Sequence, residues 1–434
     1  MDYVVPKDLP LALPAPPWLI LSVLLIFFAA HILFVNLMVG GSIAVLITEI
    51  VGLRKPDWDR ISRAIADTLT VNKSIAVVLG VGPLLAISVY YTPQFYTANT
   101  LTGHTWLMVI PLVTAAFLLT YLHKYTWDRL VDSKALHISM VAGATAIFLF
   151  VPFIFLANIN LMLYPEHWRN IHSFLDAMVL PNVIPRYFHF ISASMAIMGL
   201  FLVKWMGRES KVREMGLETI DAAEVRRRFY TLTLGATGAQ LFFGPLLFLT
   251  LPGHVISMTM VTLVLTVITL ASWVVLWLWR EVTSDNPGTR FWHIVGMLSI
   301  IVTLMVWVRH DIRETAVAPH RELVRIKTLK YTAEVEKARG YLVMPGGLGG
   351  EPVSPGMMKF LRSCGSCHAI EKKLVGPPLS ETGALYSGDP DGIVAWALNP
   401  GRRRSDYPAM AAVVLPREDL LEIANYILGI TGNQ

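Results

Sequence analysis

The sequence predicts an all-α protein: a polytopic transmembrane helix bundle of about eight spans, then a linker and a small soluble domain. Three observations carry this. Of 434 residues, 54% are hydrophobic and only 15% charged, against about 25% charged in an ordinary soluble domain. Several apolar runs exceed the ~20 residues that cross a hydrocarbon core, where only a hydrogen-bonded helix or a closed barrel satisfies the backbone. Beyond Val308 the composition changes to mixed charged and apolar residues. A soluble enzyme and a disordered scaffold are excluded. The net charge of +5 resides in loops; no block of Lys and Arg interleaved with aromatics occurs in a soluble segment, which argues against a nucleic-acid partner.

The spans, in order, are Trp18 to Val51, Ile65 to Tyr91, His104 to His123, His137 to Leu163, Val183 to Trp205, Phe229 to Leu251, Val255 to Trp279 and Phe291 to Val308. The first is longer than one crossing needs, and Gly40 with Gly41 offers a place to bend it. Met1 to Pro17 has no basic stretch before a small-residue cleavage site, so the first run reads as a retained span. Positive charge orients the bundle. Arg54, Lys55, Arg60 and Arg63 follow the first span, Lys124, Arg129 and Lys134 the third, and Arg208, Lys211, Arg213 and Arg226 to Arg228 the fifth. Apart from Arg169, the alternate loops hold almost no basic residue. These loops predict an inner-membrane protein of a bacterium with both termini in the periplasm.

The boundaries expected are residues 1–310 for the membrane domain, 311–356 for a linker and 357–434 for the soluble domain. The linker should carry a helix near Glu322 to Tyr341 and a tether at Gly346, Gly347, Gly349 and Gly350. The only two cysteines stand in Cys364-Gly365-Ser366-Cys367-His368. Two thiols at this spacing can add to both vinyl groups of a haem, and the adjacent histidine can ligate the iron. A thiol redox pair or a structural disulfide would not need His368. The spacing therefore predicts one covalent haem c.

The segment resembles a class I cytochrome c along nearly its whole length. Met357 to His368 matches the first helix, Gly376-Pro377-Pro378-Leu379 the loop across the proximal histidine, and Pro416 to Ile430 the last helix. The resemblance implies a methionine as second axial ligand, and Met410 in Tyr407-Pro408-Ala409-Met410 occupies its place; Met357 and Met358 are the alternatives.

Ionisable groups within spans are costly and are functional candidates. His189 lies five or six residues into the fifth span, and Met260 lies at similar depth in the seventh, which enters from the same side. Equal depth suits two ligands of one haem, and packing roles suit each residue equally well. His31, in the first span, reads either as a ligand or as a hydrogen-bonding group. His104, His123, His137, His293 and His310 lie near span ends, where an amphipathic histidine needs no special explanation.

His31-Ile32-Leu33-Phe34-Val35-Asn36-Leu37-Met38-Val39-Gly40, Trp127-Asp128-Arg129-Leu130 and Arg186-Tyr187-Phe188-His189-Phe190 resemble subunit I of the cytochrome bd quinol oxidases, in order through about residues 20 to 310. The resemblance implies at least one low-spin haem b on His189 and Met260, and a further haem, of b or d type, at His31. Two departures matter. The third and eighth spans of that family carry glutamates that serve its haems and proton delivery, whereas here the third to eighth predicted spans contain no Asp or Glu. The family's large quinol-binding segment between spans six and seven is reduced to Pro252-Gly253-His254.

These readings together predict respiratory electron transfer between a periplasmic c haem and membrane b haem, in a cytochrome c-linked subunit of a bd-like terminal oxidase complex. Expected partners are further membrane subunits, one of which would hold the oxygen chemistry, and a periplasmic cytochrome c or similar carrier. Two rivals stand beside this. Quinol could be oxidised within the membrane and the electrons leave through the c haem, which requires a quinone pocket near His189, Met260 or His310. Alternatively the bundle is a redox-inactive anchor. Paired histidines about fourteen apart, as in a bc-type cytochrome b, and a His-His dipeptide, as in a haem-copper oxidase, are both lacking.

Overall fold

The computed structural model describes residues 13–342 and 354–431. Among the described residues there are helices, turns and no strand. The chain divides into two compact units, Met1–Thr328 and Leu329–Gln434.

The first unit is built from α1 (Pro17–Gly52), α2 (Pro56–Tyr90), α3 (Thr92–Leu107), α4 (Val109–Tyr125), α5 (Lys134–Leu163), α6 (Phe174–Met178), α7 (Val183–Met206), α8 (Glu209–Met215), α9 (Ala222–Leu249), α10 (Met258–Val282) and α11 (Phe291–Leu342) as far as Thr328. Local chemistry sets the starts. Proline stands at the first turn of α1, α2 and α3, where its missing N–H costs nothing. The Asp221 side chain accepts from the Glu224 N–H to cap α9, and Ser257 accepts from the Met260 N–H to cap α10, satisfying donors that have no partner within the helix.

Among the described residues, seven helical segments are long and apolar enough to cross a membrane, by length and composition. The chain is an integral membrane protein. The expected second span differs: it lies in α2, of which only Ile75–Tyr90 is strongly apolar, because the first half of α2 carries charged residues such as Asp57, Asp59, Arg60, Arg63 and Asp67. The eighth predicted span also differs. It continues without a break as α11 through the stretch expected to begin a linker; the glycine tether lies outside the described residues.

Helix α1 packs along α2, α5 and α7, α7 along α9, and α4 along α5. Gly40 and Gly41 do not interrupt α1, which is continuous. A Cβ at Gly40 would collide with the Ser194 carbonyl oxygen on α7 and approach Met198 Cβ to 2.8 Å. Glycine is there to let two helices come close, as small residues do in membrane bundles. Ser194 reinforces the crossing by donating from Oγ to Asn36 Oδ1 at 2.9 Å.

The second unit contains α12 (Pro355–Ser363), α13 (Leu379–Leu385), α14 (Pro390–Leu398) and α15 (Arg417–Thr431). Helices α12, α13 and α14 each pack on α15. Phe360, Leu379, Val394, Leu420 and Ile423 form their shared core. The helices are short, and the core they enclose is small for an independent unit.

Candidate functional site

In the second unit the first turn after α12 positions the cysteines. The N–H groups of Cys367 and His368 both donate to the Cys364 carbonyl at 3.0 Å. Cys367 is exposed and Cys364 half-buried, and the two form no disulfide. Burial first, and the neighbouring Cys367 second, push the Cys364 thiol up from its ordinary value. That is opposite to the depressed thiol of a redox-active Cys-X-X-Cys pair.

His368 is held from one side. Its Nδ1 donates to the Pro377 carbonyl at 2.9 Å, so the lone pair is left on Nε2. The loop that supplies Pro377 is tied back by Gly376 N–H to the Cys367 carbonyl at 2.8 Å and by Leu379 N–H to the Ala369 carbonyl at 2.9 Å. A Cβ at Gly376 would stand 2.7 Å from both ring nitrogens of His368, so only glycine fits the loop against the imidazole.

These residues open onto a cavity of about 820 Å³ whose lining includes Cys364, Cys367, His368 and Met410. The rest of the wall is mainly apolar, with Leu379, Val394 and Ile423 of the core. Met357 and Met358 are not in that lining; Met357 is buried in α12, and Met358 is exposed. The Met410 segment is fixed by Val413 N–H donating to the Ala397 carbonyl at 2.9 Å. The structure thus brings the four residues singled out in this segment around one cavity. The donor set and the apolar walls fit a haem: two thiols for its edge, an imidazole nitrogen and a thioether for its iron.

The membrane residues each meet a different neighbour. His31 on α1 donates from Nδ1 to the Ala76 carbonyl of α2 at 2.8 Å, and Gly80 makes room for its ring. That bond leaves Nε2 as the acceptor or ligand atom. His189 on α7 faces Gly244 of α9, and its buried ring meets the Gln240 backbone of the same helix, with Nδ1 making no hydrogen bond of good geometry. A buried imidazole held this loosely has a nitrogen to offer a ligand. Met260, at the start of α10, is fully buried and packs with Tyr164, Leu251, Val308 and Ile312. His310 Nδ1 on α11 is likewise buried and unpartnered.

One cluster departs from the sequence reading. His123 on α4 and His137 on α5, expected as ordinary span-end residues, are 1% and 0% exposed, and both meet Glu49 of α1, itself 0% exposed. His123 Nε2 lies 2.7 Å from Glu49 Oε2, and His137 Nδ1 lies 2.5 Å from Glu49 Oε1. The imidazole rings stack at 4.0 Å, and Trp127 closes one side edge-on to both. A single glutamate in a 34-residue apolar run was the available signal. Its partners, 74 and 88 residues away, could not be paired with it without the fold. Carboxylates also reach the bundle where helices outrun the predicted spans: Glu281 at the end of α10 is fully buried and accepts from the Arg290 N–H, and Glu314 on α11 accepts from the Tyr91 hydroxyl and from Arg321.

The first unit is therefore a helical membrane bundle with buried histidines on several helices. Among solved structures, the chain is similar to the bd oxidase from Geobacillus thermodenitrificans, with a TM-score of 0.53 and 13% identity over 76% of this chain and 97% of that one. This likeness is one of fold. No family model and no curated protein sequence matches the chain.

Proposed function

We propose that the chain is an electron-transfer subunit of a bd-like respiratory membrane complex, with a covalent haem c in its C-terminal unit and at least one haem b in its bundle. The observation that carries this is the cavity bounded at once by Cys364, Cys367, His368 and Met410. A haem there supplies one-electron storage between ferric and ferrous iron.

The chain's own residues account for how that chemistry would be tuned. Pro377 fixes the His368 tautomer by accepting the Nδ1 proton, which raises the ligand's basicity and holds its plane. Met410 offers a thioether, which raises the potential relative to a second imidazole. Apolar walls limit water around the site. In the bundle His189 and Met260 are the residues for haem b, supported by their burial among the helices, and His31 is the residue for a further b or d haem. Neither ligand of a six-coordinate haem has to leave during electron transfer, so the protein's work is positioning and polarity.

The fold shared with a bd oxidase supports further membrane subunits as partners; the c-type haem motif supports a periplasmic cytochrome c or similar carrier as the partner that exchanges electrons with it. With α2 counted as an eighth crossing beside the seven long apolar helices, the basic loops support placing both termini in the periplasm of a bacterial inner membrane. The test is a haem count on the purified full-length protein by pyridine haemochrome. One c haem with at least one b haem per chain is expected. A c haem alone would reduce the bundle to an anchor, and no c haem would sink the reading.

A further inference from the structure

Three arginines gather at the end of the bundle where α7 and α10 begin. Arg186 is in the first turn of α7, three residues before His189, and Arg309 and Arg313 are four residues apart on α11. Such spacings place each pair on one helix face. Arg309 lies within electrostatic reach of Arg313 and Arg186, and Arg186 within reach of Tyr164 and His189. Their neighbours are aromatic: the Arg309 guanidinium carbon stands 4.3 Å from the centre of the Phe28 ring, and that of Arg313, which is 7% exposed, stands 5.4 Å from the centre of the Tyr91 ring. Met260 belongs to the same neighbourhood. It packs with Tyr164 and with Val308 and Ile312, the residues that immediately precede Arg309 and Arg313. The cations therefore lie beside both residues read as ligands of haem b.

No anion of the chain is set against them. Among the described residues, none of the three guanidinium groups makes an ion pair or a hydrogen bond. Glu314 is engaged by the Tyr91 hydroxyl and by Arg321. Asp311, two residues from both Arg309 and Arg313, sits on another face of α11. A guanidinium stays protonated in proteins, and a charge inside a membrane bundle is costly unless something of opposite sign meets it. Three together call for a ligand with at least two negative charges. The fork of guanidinium N–H donors matches a planar carboxylate or a phosphate. A haem b carries two carboxylates.

We propose that Arg186, Arg309 and Arg313 form the binding site for the propionate groups of the haem b held by His189 and Met260. The proposal deepens the haem b reading and rests on it. Its electrostatic consequence follows from sign. Cations beside a haem disfavour the ferric form, which carries one positive charge more than the ferrous form, so the cluster raises the potential of that haem.

Spectroelectrochemical titration of the full-length protein tests this, following the b band that His189→Ala removes and using the c band as internal reference. Arg186→Gln, Arg309→Gln and Arg313→Gln should each weaken the reduction equilibrium of haem b by about tenfold or more and leave that of the c haem as in the wild type. Arg186→Lys, Arg309→Lys and Arg313→Lys keep the charge and should restore it. The Lys variants lose the guanidinium fork, so the propionate-bending band in their Raman spectra should shift, read as variant minus wild type so that the c haem cancels. Where a Gln variant fails to fold, the Raman shift of the Lys variant decides. An unmoved b-haem potential in all three Gln variants, or unshifted propionate bands in the Lys variants, would overturn the proposal. So would a phospholipid that co-purifies with the wild type and leaves the Gln variants while haem b stays unchanged. Wild-type protein without haem b would instead overturn the reading on which the proposal rests.

Discussion

Replacing Gly376 with alanine probes the tightest contact around His368. The added methyl would overlap Cε1 of the ring and lie 2.7 Å from each ring nitrogen, where ordinary contact begins at 3.4 Å. The ring must therefore retreat by more than about 0.7 Å, which stretches the 2.9 Å bond from Nδ1 to the Pro377 carbonyl beyond hydrogen-bonding range. Losing that bond costs about 1 kcal/mol, and overpacking adds about 1–3 kcal/mol. For a unit of this size each kcal/mol corresponds to about 4–8 °C of melting temperature, so a fall of roughly 10–30 °C is expected. Thermal proteolysis of the full-length protein, read at the C-terminal fragment, measures it. In-gel peroxidase staining of the same samples reads covalent haem, which should decline as His368 is displaced. A melting temperature within about 2 °C of wild type, with undiminished staining, would refute the idea that this glycine is required by the imidazole.

Other substitutions separate the two candidate haem sites. His189→Ala should abolish a low-spin b band and leave the c band; unchanged b spectra would remove His189 as a ligand. Met410→Ala should lose the methionine–iron charge-transfer band and lower the c-haem potential, and persistence of the band would turn attention to Met357 or Met358. Asp57, at the start of α2, is 3% exposed and accepts from the Thr219 N–H at 2.7 Å, from its hydroxyl at 2.6 Å and from the Glu218 N–H at 3.1 Å. Burial alone would raise its pKa, but these bonds and Arg60 outweigh it and hold the carboxyl below its ordinary value. Its contribution to stability is therefore present above the usual carboxylate range and is lost as pH falls through the depressed folded value. Asp57→Asn should lower the melting temperature at pH 7 and flatten its fall on acidification; equal pH profiles for variant and wild type would exclude the role.

The readable part of this molecule was local. Apolar runs fixed seven of the crossing helices, because a membrane selects helices by composition over some twenty adjacent residues. The cysteines and His368 are neighbours in sequence, and Met410 follows in the same short unit, so their common cavity needed little tertiary knowledge. What escaped was non-local. Glu49 reads as the last polar residue of an apolar run until α4 and α5 bring His123 and His137 to it. Gly40 reads as a weak point in a helix until Ser194 of α7 is set beside it. Helix α11 outran its predicted end because hydrophobicity reports where a helix meets lipid, whereas backbone hydrogen bonding continues wherever helix-forming residues allow it, here even past Pro319.

The continuity of α1 has a mechanical consequence. His31 and Glu49 are 18 residues apart on one unbroken helix, about 27 Å along its axis, close to the thickness of the hydrocarbon core. A helix without a hinge between them behaves as a strut. A small tilt or axial slide that alters the grip of His31 on α2 must also change how Glu49 meets His123 and His137, so that events near opposite membrane surfaces share one coordinate of motion. The seating of Gly40 against Ser194 is then the fulcrum of that strut, and its closeness of fit sets how far either end can travel.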